Sequence, residues 1–246
     1  MNTVAAEWLK LRTLRSTWWA MGVGVGLSLV LTVLGAETVI ARWEPGRTPD
    51  QAAMGVIVAV YVGVIVAQLP LGMLGTMTIT GEHSSRMIDM TRLATPSASR
   101  ILLAKALVLG GAAIAGSLLI AVPGYLYGRF VAADFHPSPL PAAAWQVIGG
   151  GTLMIVVTTL LGLALGAILR NGAVATAVLI AVVLVLPFTA RVLPGGELVN
   201  RFMPGYPALQ LIEQVPDIMP VWAAFTVLAA WAVVPLLLAA LRDRLR

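Results

Sequence analysis

The chain has 246 residues, of which 59% are hydrophobic and only 11% are charged. A soluble domain carries about a quarter charged residues, so this composition excludes a fold that faces water throughout and predicts an all-α, polytopic membrane protein. The net charge is +5, but the basic residues are spread along the chain, which argues against a nucleic-acid partner. The lack of cysteine excludes disulfides, thiolate metal sites and cysteine nucleophiles.

Six apolar stretches are each long enough to cross a bilayer, which takes about 20 residues. Together they predict one transmembrane domain over residues 1–246, with spans at 17–40, 52–80, 101–128, 142–169, 173–193 and 221–241. The first stretch is too long for the apolar core of a signal peptide. The second is longer than the hydrocarbon core requires, so we expect it to tilt, to bend at Pro70 or to extend into the cytoplasm.

The segment before the first span, residues 1–16, has the pattern of an amphipathic helix lying in the membrane interface. The apolar positions that share one face of this helix are Trp8, Leu11, Leu14 and Trp18. Glu7 and Arg15 interrupt the stripe. The alternative is an ordinary lead-in whose basic residues only set the orientation of the chain.

The loop after the second span, residues 81–100, is the most polar part of the chain. Ser84 or Ser85 can cap a short helix, and Pro96 ends it. Met87, Met90 and neighbouring apolar residues lie on one face of this helix. Such a face on the water side favours a docked partner, although it could instead pack against the ends of the protein's own spans.

The segment 194–220 is too long and too apolar in its middle to be a simple connection. Leu198–Met203 and Ala208–Val215 are predicted to form two short helices that dip into the outer leaflet. The alternative is a folded external cap.

The basic residues predict the orientation of the chain in the plasma membrane. Eleven of the sixteen lysines and arginines fall on the side that carries both termini, so this side is predicted to be cytoplasmic.

Motifs for chemistry are missing from the sequence. No lysine lies in a Gly-x-x-x-x-Gly-Lys-Ser/Thr loop, and neither His-Glu-x-x-His nor Gly-x-Ser-x-Gly occurs. The two histidines, His83 and His136, are predicted on opposite sides of the membrane, and Gln68 is the most interior strongly polar residue. An intramembrane enzyme would need facing acids or histidines, so we predict a non-enzymatic protein that moves something with energy supplied elsewhere.

The order of these parts resembles the permease subunits of type-2 exporter-class ATP-binding-cassette (ABC) transporters, particularly the short actinobacterial kind. The resemblance covers essentially the whole chain: a basic helix over 7–16 enters the first span, the loop after the second span carries polar and basic residues, and an outer segment precedes the sixth. It implies a homodimer or paralogous heterodimer of permeases in membrane lipid, bound to two cytoplasmic ATP-binding subunits. This chain would hold no cofactor, since ATP and magnesium would bind the partner.

The resemblance also implies roles for particular residues. The loop helix would be a coupling helix seated on the ATPase, and the N-terminal helix an elbow that moves with it. The implied coupling positions are Glu82, Ser85, Arg86, Met87, Met90, Leu93, Arg100 and Lys105. The cargo would be apolar or amphipathic, such as a drug, natural product, peptide or lipid. The alternative function is a non-catalytic scaffold or sensor that docks a cytoplasmic partner through residues 81–100.

Overall fold

A computed structural model describes residues 3–41, 49–85, 87, 97–132, 141–190, 192–213 and 219–244 of the chain. Within these ranges every regular element is helical, which confirms the predicted all-α class.

The first half of the chain contributes four helices, and the second half contributes shorter ones around two long spans. In chain order the elements are α1 Thr3–Thr13, α2 Arg15–Ala41, α3 Pro49–Ser84, α4 Ala98–Ala132, α5 Pro141–Leu169, α6 Gly172–Ile180, a π-helical turn Ala181–Val185, α7 Leu186–Ala190, α8 Gly196–Arg201, α9 Gly205–Glu213 and α10 Val221–Arg244.

Six stretches of these helices are long and apolar enough to cross a membrane, as the sequence predicts. They are Thr17–Thr38, Val62–Ser84, Ser99–Val131, Trp145–Leu169, Gly172–Ala190 and Val221–Arg242. The second span is part of a single helix of 36 residues that includes Pro70. At 1.5 Å per residue this helix is about 54 Å long, so it extends well beyond a hydrocarbon core of about 30 Å.

The spans of α3 and α5 form the centre of the bundle. In these two spans 56% and 61% of the residues are buried. In each of the first, fifth and sixth spans only 22% of the residues are buried. These two helices pack on each other more extensively than any other pair, with α2 and α4 against α3, and α4, α9 and α10 against α5. The apolar core between them includes Leu71, Met154, Ile155 and Leu228.

Four glycines bring the backbones of α3 and α5 into direct contact. We call this contact the glycine seam; its members are Gly72, Gly75, Gly162 and Gly166. A Cβ atom added at Gly75 would lie 2.2 Å from the carbonyl oxygen of Thr159, and one at Gly162 would lie 2.2 Å from that of Gly72. No side chain fits at such distances, so small residues set the spacing of the two central helices.

The fifth span contains a local irregularity that the hydropathy pattern does not show. Asn171 caps its start by accepting a hydrogen bond from the backbone of Val174, and the helix passes through the π-helical turn before Pro187. The connection from α5 is tight enough that Arg170 adopts a left-handed conformation, with φ of 56°.

Two short helices occur in the outer segment, as predicted, with bounds that differ by a few residues. These are α8 and α9. The indole nitrogen of Trp231 on α10 donates to the carbonyl oxygen of Phe202 at 2.6 Å, which ties this segment to the sixth span. Whether α8 and α9 dip into the outer leaflet stays a prediction.

Candidate functional site

The predicted docking loop lies between the end of α3 at Ser84 and the start of α4 at Ala98. Ser85 is exposed, and its hydroxyl donates to the carbonyl oxygen of Gly81 at 2.8 Å. Met87 is 48% exposed, and Arg100 is exposed as well. Arg86, Met90 and Leu93 lie outside the described residues, so the coupling helix itself remains a prediction.

Four charged side chains meet where α1, the end of α3 and the start of α4 come together. This ion cluster consists of Glu7 and Lys10 from α1, Glu82 from α3 and Lys105 from α4. The amino group of Lys105 lies 2.5 Å from Glu7 Oε2 and 2.8 Å from Glu82 Oε1. The amino group of Lys10 lies 2.8 Å from Glu7 Oε1 and 2.9 Å from Glu82 Oε1.

Three of the four members of the ion cluster are almost completely removed from solvent. Lys105 is 4% exposed, and both glutamates are 7% exposed. A buried charge is costly unless it is paired and hydrogen-bonded, and here each lysine contacts both glutamates. Two positive and two negative charges balance, so the cluster is stable only while all three helices stay together.

Lys10 is the most accessible member, with a side chain that is 29% exposed. Partial burial lowers the pKa of Lys10, but hydrogen bonds and charge attraction from Glu7 and Glu82 outweigh this effect. The pKa of Lys10 is therefore raised above its usual value of 10.5, which keeps the group charged at neutral pH.

The resemblance implies that Glu82 and Lys105 belong to the coupling region, and the structure places both in the interior of the ion cluster rather than on the surface. Both are buried, and their charged groups pair with each other and with residues of α1. Glu7 and Lys10 were not among the predicted coupling residues. Two sequence signals point to them: Glu7 interrupts the apolar stripe of α1 with Lys10 three positions later, and Lys105 lies near the start of an otherwise apolar span, where ionisable residues need partners.

The N-terminal helix is present, but the predicted stripe does not share one environment. Leu11 is buried against α3 and α4, whereas Trp8, Leu14 and Trp18 are 51%, 47% and 61% exposed. The inward face of α1 is formed by Glu7 and Leu11. The indole of Trp18 donates to the carbonyl oxygen of Arg12 at 2.9 Å, which joins the end of α1 to the start of α2.

A cavity of about 430 Å³ opens beside the ion cluster, between α1, α3 and α4. All four members of the cluster lie in its wall. The apolar part of the wall is contributed by Leu11, Leu14, Met77, Met87, Val108 and Leu109.

No metal site is evident in the part of the chain that the structure describes, since no three histidine, aspartate or glutamate side chains there could hold an ion together. The ion cluster has two carboxylates, and both are already neutralised by lysines. The site is therefore suited to joining helices.

The six apolar helices, two of which form the centre of the bundle, define a multi-pass membrane protein whose N-terminal helix is held by buried ion pairs. A family model described as ABC-2 family transporter protein matches residues 3–188. This range includes the ion cluster, the loop, the first four spans and all but the last two residues of the fifth span. The chain belongs to this family and is a permease subunit of an ABC transporter. No curated protein matches the chain.

Proposed function

We propose that this permease subunit exports an apolar or amphipathic compound, with the energy supplied by two separate ATP-binding subunits that dock at the loop between α3 and α4. The ion cluster carries the proposal. It joins the two helices that flank the loop to the helix that precedes the first span.

The geometry of the cluster supports transmission of movement from the loop to α1. Glu82 lies in the last turn of α3 and Lys105 in the second turn of α4, so a displacement of the loop displaces both groups. Glu7 and Lys10 must follow, because separating them from their partners would leave charges buried without compensation. In this role α1 is an elbow that moves as one body with the loop.

The need for a separate ATP-binding subunit rests on the sequence. The 246 residues contain no Gly-x-x-x-x-Gly-Lys-Ser/Thr loop, and the family is one of transport subunits. We propose that both termini and the loop are cytoplasmic, as the distribution of basic residues predicts. In a dimer, ATP-driven closure of the two partners would draw the two loops together and open a path outward between the permeases.

The interior of the bundle supports an apolar or amphipathic cargo. Its buried polar side chains at mid-span are hydroxyls and one amide, including Ser28, Thr32, Gln68 and Thr158. Thr158 donates to Gln68 at 3.4 Å, so the amide links α3 to α5. No charged side chain is buried at mid-span among the described residues, which leaves no strong ion-binding group along these helices.

Purification of the complex from its native host tests the proposal. A C-terminally tagged chain, extracted in mild detergent, is expected to bring down a P-loop protein in equal amount, as identified by mass spectrometry. The triple variant Met87→Asp, Met90→Asp, Leu93→Asp should lose this partner. A matched control carries three aspartates at the other end of the bundle, at Val192, Leu193 and Leu198, which are 77%, 63% and 64% exposed; it should keep the partner.

The same experiment distinguishes the exporter from a scaffold. A cytoplasmic partner without a P-loop, lost in the loop variant and kept in the control, would contradict the exporter and favour the docking scaffold. When a P-loop partner is found, Lys105→Met should leave it bound, since Lys105 is buried, but should alter the ATPase rate of the reconstituted complex.

A further inference from the structure

The start of the first span carries an open apolar groove on the outside of the bundle. Trp18, Trp19, Gly22 and Val23 line this concavity of about 440 Å³ on α2. A Cβ atom added at Gly22 would have no neighbour within 4 Å, and the same is true of Gly26 one turn further along. Both tryptophans are exposed. The part of the chain that the structure describes therefore leaves this groove open.

Two arginines lie at the end of the groove where the span begins. Arg15 is the first residue of α2, three and four positions before the two tryptophans, so it lies on the same face of the helix. Arg12 is held beside the groove from α1, because the indole nitrogen of Trp18 donates to its carbonyl oxygen at 2.9 Å. Both arginines are exposed. Their guanidinium groups are therefore available to a molecule that occupies the groove.

No acid neutralises these arginines within the described residues. Every ion pair found there belongs to the ion cluster, and neither Arg12 nor Arg15 takes part in one. Glu7 is the one acid in residues 1–16, and it is buried between the two lysines of the cluster. The polar end of the groove thus carries two positive charges and favours an anion.

The level of the groove in the membrane defines this anion further. The apolar window of the first span begins at Thr17, so both arginines lie where the helix leaves the hydrocarbon and meets the lipid head groups. Tryptophans are enriched at this level. A guanidinium binds phosphate through two parallel hydrogen bonds. A phosphate followed by a hydrocarbon chain fits both ends of the groove.

We propose that the groove binds one phospholipid with a net negative head group, such as phosphatidylglycerol. Its phosphate lies between Arg12 and Arg15, and one acyl chain passes the two tryptophans over Gly22. A zwitterionic head group is disfavoured, because it brings its own cation next to the arginines. The lipid holds the end of α1 to the start of α2. The proposal does not depend on export or on an ATP-binding partner.

Competition between two lipids tests the head group. The full chain is purified in detergent and equilibrated with equal amounts of phosphatidylglycerol and phosphatidylcholine that carry the same acyl chains. Native mass spectrometry counts the lipids that stay bound to each chain. We expect one phosphatidylglycerol per chain, retained about tenfold or more over phosphatidylcholine, because two basic residues attract the negative head group.

Substitution of the arginines tests the polar end of the groove. Arg12→Gln and Arg15→Gln should each lower the retention of phosphatidylglycerol by about fivefold. The double variant should lose the preference over phosphatidylcholine. The matched control is Arg129→Gln, an exposed arginine in the last turn of α4 at the other end of the bundle, and it should leave the retention unchanged.

Filling the groove tests its apolar end without changing a charge. Gly22→Leu places a side chain in open space, so it should reduce lipid retention by about tenfold without straining the fold. The matched control is Gly149→Leu on α5. Gly149 is also exposed, and a Cβ atom added there has no neighbour within 4 Å. This control should keep the lipid.

The outcomes separate a lipid from a second copy of the chain. Loss of phosphatidylglycerol in Gly22→Leu and in the double arginine variant, with retention in both controls, supports the proposal. Equal retention of the two lipids by the parent chain overturns the head-group assignment, and unchanged retention in Gly22→Leu overturns the groove as the site. A parent chain that is a dimer without bound lipid, and becomes a monomer in Gly22→Leu, shows an interface between copies and overturns the lipid.

Discussion

Helix α3 is held to its neighbours in two different ways, by backbone contact in its middle and by ion pairs at its end. At the glycine seam, Gly75 and Gly162 let carbonyl groups of α3 and α5 approach within a distance that leaves no room for a Cβ atom. At the ion cluster, Glu82 meets two lysines on two different helices.

The difference lies in what each contact does when the helices move. The glycine seam is stabilised by close packing over many atoms, and a small shift forfeits much of that attraction. The ion cluster consists of long side chains that can follow a shift of the backbone, while the cost of an unpaired buried charge opposes complete separation. The seam is therefore suited to a rigid centre, and the cluster to a joint that keeps α1 with the ends of α3 and α4.

The largest effect is expected from breaking the joint. Lys105→Met leaves two buried glutamates with only one lysine, and we expect a loss of about 3–5 kcal/mol in the free energy of unfolding. Thermal unfolding in detergent, followed by the loss of monodisperse protein, measures it. Arg100→Met on the same helix is the control, because an exposed residue should change stability by about 0.5 kcal/mol or less. Equal unfolding temperatures for both variants would contradict the structural role of the cluster.

A smaller effect is expected from widening the seam. Gly162→Ala places a Cβ atom against the carbonyl oxygen of Gly72 and should cost about 1–3 kcal/mol. Gly149→Ala on the same helix has open space around the new atom, so it should be neutral or stabilising by about 0.5–1 kcal/mol. The same thermal assay gives the two shifts, and the prediction fails if they have the same sign and size.

A hydroxyl pair near the seam should contribute less. Thr76 on α3 and Thr176 on α6 lie 3.1 Å apart through their hydroxyl oxygens. In a double-mutant cycle with Thr76→Val and Thr176→Val, we expect a coupling energy of about 0.6 kcal/mol, the average for interhelical hydrogen bonds in membranes. A coupling energy of zero would show that the contact does not stabilise the bundle.

The smallest effect concerns pH. Because the pKa of Lys10 is raised in the folded state, its contribution to stability is fully present below 10.5 and is lost as the pH rises through the higher folded value. The unfolding temperature of the parent chain should therefore fall more steeply above pH 10.5 than that of Lys10→Arg, which keeps its charge there. Parallel curves for the two proteins would show that Lys10 does not stabilise the fold through its charge.

The number and approximate positions of the spans could be predicted from the sequence, because the thickness of the bilayer sets the length of an apolar run that crosses it. All six spans appear where apolar runs of sufficient length occur, because a helix satisfies its own backbone in a medium without water. Most of their ends differ by a few residues, as in α4, which begins at Ala98 rather than at residue 101. The apolar window of the second span begins at Val62, ten residues after the predicted start at 52. The π-helical turn Ala181–Val185 could not be predicted from the sequence. A local change in the backbone hydrogen-bond pattern of a helix does not alter its hydropathy.

The candidate site is less predictable. Glu82 and Lys105 were implied by family resemblance, and Glu7 stood out only as an interruption of an apolar stripe. Lys105 and its partner Glu7 are 98 positions apart, and no local spacing rule links residues at that separation. Only the packing of α1 against α4 brings the two together.

The ion cluster has a practical consequence for labelling. The two lysines of this chain, Lys10 and Lys105, are both in the cluster, so the side-chain amines of the whole protein are gathered at one joint. An acylating reagent reaches a buried, ion-paired amine only when its surroundings open. The rate of acylation of Lys105 therefore reports how often the ion cluster opens. The more accessible Lys10 serves as an internal reference, so no label has to be introduced.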